Sequence, residues 1–128
     1  MKKLLLYLLC AASVSASAQM ARNPLLIRAE NGNAISQFNL GYCFDRGSCS
    51  GIPQNKEEAI KWYTKSAEQG FEKAQNNLAL LLLKSDPEKA VYWFKESAEQ
   101  GNQKAQYNLA NSYKKGRGVV KNDSLAVY

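Results

Sequence analysis

Three stretches of the chain share one spacing of apolar and small residues. Ser36, Leu40 and Phe44, then Ala74, Leu78 and Leu82, then Ala105, Leu109 and Tyr113 fall at i, i+4 and i+8, the stripe of a helix that buries one face. The residue after each central leucine is small, Gly41, Ala79 or Ala110, which predicts a partner helix in close approach. Two further stretches carry a second stripe, Ala59, Tyr63 and Ala67, then Ala90, Phe94 and Ala98, with Trp62 and Trp93 beside it. Strands would alternate with period two instead. The expected unit is an antiparallel helix pair, stripe against stripe. The tryptophans fall at helical spacing inside this pattern and are assigned to the core rather than to a binding surface. The run Leu80 to Leu83 is apolar all round and predicts a central, buried helix.

The ends of these helices are marked. Asn55 with Glu58 three residues later fits an N-cap and its capping-box partner, and Ser85-Asp86-Pro87-Glu88 offers the same, with Pro87 near the first helical position. Gly70 and Gly101 each follow Ala-Glu-Gln, where a left-handed C-terminal cap favours a residue without a Cβ. Asn23-Pro24 through Asn31-Gly32 reads as a shortened copy of the second helix, covering the N-terminal edge.

Comparison of the chain with itself explains the recurrence. EEAIKWYTKSAEQG, Glu57 to Gly70, returns as EKAVYWFKESAEQG, Glu88 to Gly101. Ser36-Gln37-Phe38-Asn39-Leu40 returns as Ala74-Gln75-Asn76-Asn77-Leu78 and as Ala105-Gln106-Tyr107-Asn108-Leu109. Gln37 to Gln75 is 38 residues and Gln75 to Gln106 is 31, so the loops differ in length while the helices repeat. Repeats of this size stack into a solenoid. The blocks A-Q-x-N-L-[GA], a turn Gly116-Arg117-Gly118-Val119, and A-x-x-W-[YF]-x-x-[SA]-A-E-Q-G together resemble the Sel1-like repeat family over residues 23 to 128. The related tetratricopeptide repeat has a period of about 34 residues and lacks the glycine-rich turn. The resemblance implies an all-α fold, a right-handed α/α superhelical solenoid, and a role as a protein-interaction scaffold or adaptor.

The expected organisation is a leader over residues 1–18, a linker and short capping helix over 19–32, and a repeat domain over 33–128 with units 33–70, 71–101 and an incomplete 102–128. The last unit stops at Ala126-Val127-Tyr128, one residue before its tryptophan would appear. That leaves Leu109 and Tyr113 without a second helix and makes a homodimer through this edge, or a truncated product, the alternative to an adaptor. The leader rests on Lys2 and Lys3, an apolar stretch from Leu4 to Val14, and Ala16-Ser17-Ala18, the plan of a cleavable secretory signal. The stretch is shorter than the ~20 residues that span a bilayer. Cys10 lacks the small residues that precede an acylated cysteine. The expected location is periplasmic or secreted, without stable membrane insertion.

Composition narrows the chemistry. The 128 residues contain no histidine, which removes the usual nucleophilic triads and imidazole metal sites. Loss of Lys2 and Lys3 with the leader lowers the formal charge from +6 to +4, and the densest basic group, Lys114, Lys115, Arg117 and Lys121, has no aromatic platform beside it. Nucleic acid is therefore not the expected partner. Ser112-Tyr113-Lys114-Lys115 matches the S-x-x-K arrangement of β-lactam hydrolases, a label some cysteine-rich relatives carry. No S-D-N or K-T-G accompanies it. The reading is no enzyme, no cofactor and no metal.

Two features remain as candidate sites. Cys43 and Cys49 are an even pair in an oxidising compartment and are read as a disulfide bracing the loop, the alternative being a buried thiol and an incidental one. Asn39, Asn77 and Asn108 recur once per unit on first helices, which in such solenoids line the concave face. They form a candidate ladder of amides for an extended peptide backbone, or else ties between neighbouring helices. Gln37, Gln75 and Gln106 recur in the same way. The partner is a protein or peptide.

Overall fold

The computed structural model describes residues 18–127. Residues 1–17 of the expected leader, Cys10 among them, lie outside the described residues. Six helices follow in order: α1 (Pro24–Glu30), α2 (Ala34–Arg46), α3 (Lys56–Glu68), α4 (Glu72–Leu82), α5 (Pro87–Glu99) and α6 (Gln103–Lys115). The described residues contain no strand. Each helix packs on the next in chain order, so the layout is a one-dimensional stack of helix pairs.

The stripes read from the sequence form the core. Leu40, Ala59, Tyr63, Ala74, Leu78, Ala90, Phe94 and Ala105 are all but completely buried, and each large apolar side chain so buried stabilises by about 1.5–3 kcal/mol. Trp62 is buried, and Trp93 is half-buried against the same core. Gly41 lies where α3 crosses α2, and a Cβ there would stand 2.7 Å from the Tyr63 ring. Ala79 and Ala110 are buried in the equivalent places.

Caps follow the polar punctuation. Asn55 Oδ1 accepts from the amides of Glu57 and Glu58, both at 3.1 Å. At α5 the capping side chain is Asp86, accepting from Lys89 N, with Pro87 at the first position. Asn33 and Asn102 cap α2 and α6 in the same manner. Gly32, Gly70 and Gly101 all have φ near +90°. After each of them the next amide reaches back to a carbonyl five residues earlier, Asn33 to Arg28, Phe71 to Ser66 and Asn102 to Ser97, a Schellman ending. The recurring Glu-Asn-Gly or Glu-Gln-Gly is therefore a geometric stop, and α1 ends like the longer second helices.

Two expectations are corrected. Leu80 to Leu83 are not buried all round: Leu80 is 46% exposed and the other three are half-buried. The helix ends at Leu82, and Leu80 projects into the hollow between α4 and α6. Leu109 and Tyr113 are half-buried rather than open, Leu109 against the Ala79, Ala90 and Phe94 cluster and Tyr113 beneath Lys95. The chain after α6 folds back, Asn122 N donating to Tyr113 O. Gly118 sits so close to the start of α5 that a Cβ would meet Pro87 O at 2.2 Å.

Candidate functional site

The first helices α2, α4 and α6 share one side of the stack, and a cavity of about 520 Å³ opens there. Phe38 and Tyr42 of α2 form one wall, Lys73, Asn76 and Asn77 of α4 the floor, and Asn102 to Lys104 at the start of α6 the other wall. A second hollow of about 400 Å³ continues it past Leu80, Tyr107 and Asn108. The residues come to this face because α2, α4 and α6 each bury the Ser/Ala–Leu stripe against second helices and turn the opposite side outward.

The three candidate asparagines occupy different situations. Asn39 is exposed on α2. Asn77 is half-buried and donates from Nδ2 to Tyr63 Oη at 3.4 Å. Asn108 is half-buried and donates from Nδ2 to Asn76 Oδ1 at 3.0 Å. Asn77 and Asn108 each line a hollow while also bonding a neighbouring helix.

Beneath the floor lies a polar network. Tyr63 Oη donates to Asp45 Oδ2 at 3.3 Å, and Asp45 also pairs with Lys56. Burial pushes the Tyr63 phenol well above the usual tyrosine range; the hydrogen bond from Asn77 opposes this, and the negative charge of Asp45 adds to it. Its hydroxyl therefore stays protonated and holds α2, α3 and α4 together.

The glutamines do structural work. Gln37 Nε2 donates to Ala29 O at 3.0 Å, and Gln37 Oε1 accepts from Gln69 Nε2 at 2.7 Å. One unit later Gln75 Nε2 donates to Ala67 O at 3.2 Å and Gln75 Oε1 accepts from Gln100 at 2.9 Å. Gln106 donates to Ala98 O at 3.3 Å. Each first-helix glutamine thus bonds the preceding second helix and, in the first two units, receives from the following one. Ser66 and Ser97 add parallel bonds to Ala34 O and Glu72 O, both 2.7 Å.

Cys43 and Cys49 stand with their sulfurs at bonding distance and their Cα atoms 5.2 Å apart. Ile52, almost wholly buried, pins the same loop to the core. Ser112, the serine of the S-x-x-K match, is buried and donates to Asn108 O at 3.0 Å within its own helix, while Lys115 is exposed. No group of His, Cys, Asp or Glu among the described residues has the spacing of a metal site, and no helix among them is long and apolar enough to cross a membrane.

Three contributors escaped the sequence reading: Asn76, Lys73 and Lys104. For Asn76 the available signal was the variable position of A-Q-x-N-L, which is Phe38, Asn76 and Tyr107 in successive units. All three of these residues line the hollows.

Helix pairs stacked in chain order, joined by recurrent amide bonds and open along the first helices, define an α/α solenoid. The Sel1 repeat pattern matches residues 34–71, 72–102 and 103–128, and the chain belongs to the Sel1 repeat family. A protective antigen present in uropathogenic Escherichia coli, with the same repeat fold, is 42% identical over 77% of this chain and 22% of its own length, with a TM-score of 0.72. A Sel1 repeat protein from Oxalobacter formigenes is 26% identical, covering 83% of this chain and 86% of that one, with a TM-score of 0.74. The DAP3-binding cell death enhancer 1 of Rattus norvegicus is 44% identical over 55 residues, 43% of this chain. This chain spans 10% of that relative.

Proposed function

We propose that this protein is an exported, non-enzymatic interaction module that holds an extended peptide or protein segment along the face of α2, α4 and α6. Sel1 repeat proteins generally mediate protein–protein interaction. The observation that carries the reading is the pair of hollows running across three successive first helices, with amide side chains on the floor and aromatic rings on the walls. Amides pair with a peptide backbone irrespective of its sequence, and flanking apolar hollows take alternate side chains. In this reading Asn77 and Asn108 meet the backbone, and exposed Asn39 extends the row beyond Phe38. Export, with passage through the periplasm, is supported by the leader pattern and by the Cys43–Cys49 pairing.

The test is affinity capture from envelope extract with the folded protein, beside an Asn39→Ala/Asn77→Ala/Asn108→Ala variant and a Leu80→Glu variant, both checked for helicity by circular dichroism. Loss of the same partner from both folded variants is the expected outcome. A partner retained by both places binding on another surface.

A second reading draws on Val120, Leu125 and Val127, which are exposed at 89%, 53% and 80% beyond α6. Exposed apolar side chains following one another in a short segment favour self-association. Light scattering that gives a monomer mass at all concentrations removes it.

A further inference from the structure

We infer that the cavity between α2, α4 and the start of α6 is a carboxylate seat, so that the segment held on this face is acidic; the inference rests on the peptide-binding reading above. The central observation is Asn76. It is only 2% exposed, and its Oδ1 is occupied by Asn108 Nδ2 at 3.0 Å. Its Nδ2 meets no acceptor among the described residues, yet the residue lines both hollows. The nitrogen is not enclosed by protein and opens toward the hollows, where a ligand oxygen can take the place of water.

The surroundings select which oxygen. Lys73 and Lys104 flank Asn76 in the same lining, are exposed, and belong to no ion pair among the described residues. Helix α6 begins on this wall. Asn102 Oδ1 caps Ala105 N, which leaves the amides of Gln103 and Lys104 as donors without an intrahelical partner. Glu72, on the rim, opposes this charge but is outnumbered by the two ammonium groups. Three kinds of donor converge here, side-chain amide, ammonium and backbone N–H, and a carboxylate satisfies all of them because it only accepts. Phe38 and Tyr42 then supply an apolar wall for the methylenes of a glutamate or for a neighbouring apolar side chain.

The probe is a short, fluorescein-labelled, amidated peptide alternating glutamate and leucine, compared with its glutamine–leucine counterpart on the full chain. Anisotropy gives the affinity, and heteronuclear NMR follows the Asn76 side-chain amide. The glutamate peptide is expected to bind roughly tenfold more tightly, to shift the Asn76 resonances, and to lose its advantage in Lys73→Glu/Lys104→Glu, whose exposed positions spare the fold. Equal affinities with the Asn76 shift retained overturn the carboxylate seat and leave the peptide-binding face standing. Shifts confined to other surfaces, or no binding by either peptide, overturn both.

Discussion

Tyr63 is the side chain on which the first unit turns. Its ring fills the space that Gly41 leaves open and lies 5.8 Å from Phe38, while its hydroxyl links Asp45 and Asn77. Because the phenol is buried, its pKa in the folded protein lies above that in the unfolded chain, where it is about 10. The sign follows from linkage: the protonated form is the one favoured by folding. Its contribution is whole below about pH 10 and is lost as the pH rises further and the unfolded chain ionises. Urea melts across that range should show an alkaline loss of stability that is smaller in Tyr63→Phe. Near neutral pH the same variant should cost about 1 kcal/mol, the net worth of the lost hydrogen bonds. An unchanged alkaline slope in Tyr63→Phe would assign the loss to other groups.

Between elements, the glutamine relay decides how one unit meets the next. Gln75 donates to Ala67 O and accepts from Gln100, so it touches α3 and α5 from α4. Gln75→Ala strips a bond from the buried Ala67 carbonyl and another from the exposed Gln100 amide and should destabilise by about 1–3 kcal/mol. A double-mutant cycle with Gln100→Ala, read by chemical denaturation, should give a coupling of roughly 0.5–3 kcal/mol. Additivity would show that the two amides act independently. The helices and their ends were legible in the sequence because stripes at i and i+4, Asn caps and Glu-Gln-Gly stops are all local patterns. The relay was visible only as recurrence. Gln37 and Asn39 recur equally well, and which of them turns inward depends on carbonyls of a helix eight residues earlier or side chains of one some thirty residues later. Asn76 was hidden for the same reason. Its burial comes from the packing of α6 over α4, which no stretch of α4 encodes alone. The exposed Leu80 shows the converse, an apolar run that names a helix without naming the side that opens to a hollow.

Over the whole molecule, the loop between α2 and α3 is the longest departure from the repeat and the most heavily fastened. The Cys43–Cys49 pair, six residues apart, Ile52 in the core, and Asn55 N bonded to Phe44 O at 2.8 Å hold it at three points. Closing so short a loop contributes about 2 kcal/mol through the entropy of the unfolded chain. Urea melts with and without reductant should differ by that amount, and the oxidised protein should show no free thiol from this pair by alkylation and mass spectrometry. Two free thiols in the isolated protein would rule out the bond as its resting state.

The relay has a consequence for how such chains change over generations. Its contacts from one unit to the preceding one end on main-chain oxygens, at Ala29, Ala67 and Ala98, and every residue type carries such an oxygen. The join therefore makes little demand on the neighbour's side chains. A unit can be copied, dropped or moved within the gene and still find its seat, while the positions that line the hollows, Phe38, Asn76 and Tyr107, differ from one unit to the next.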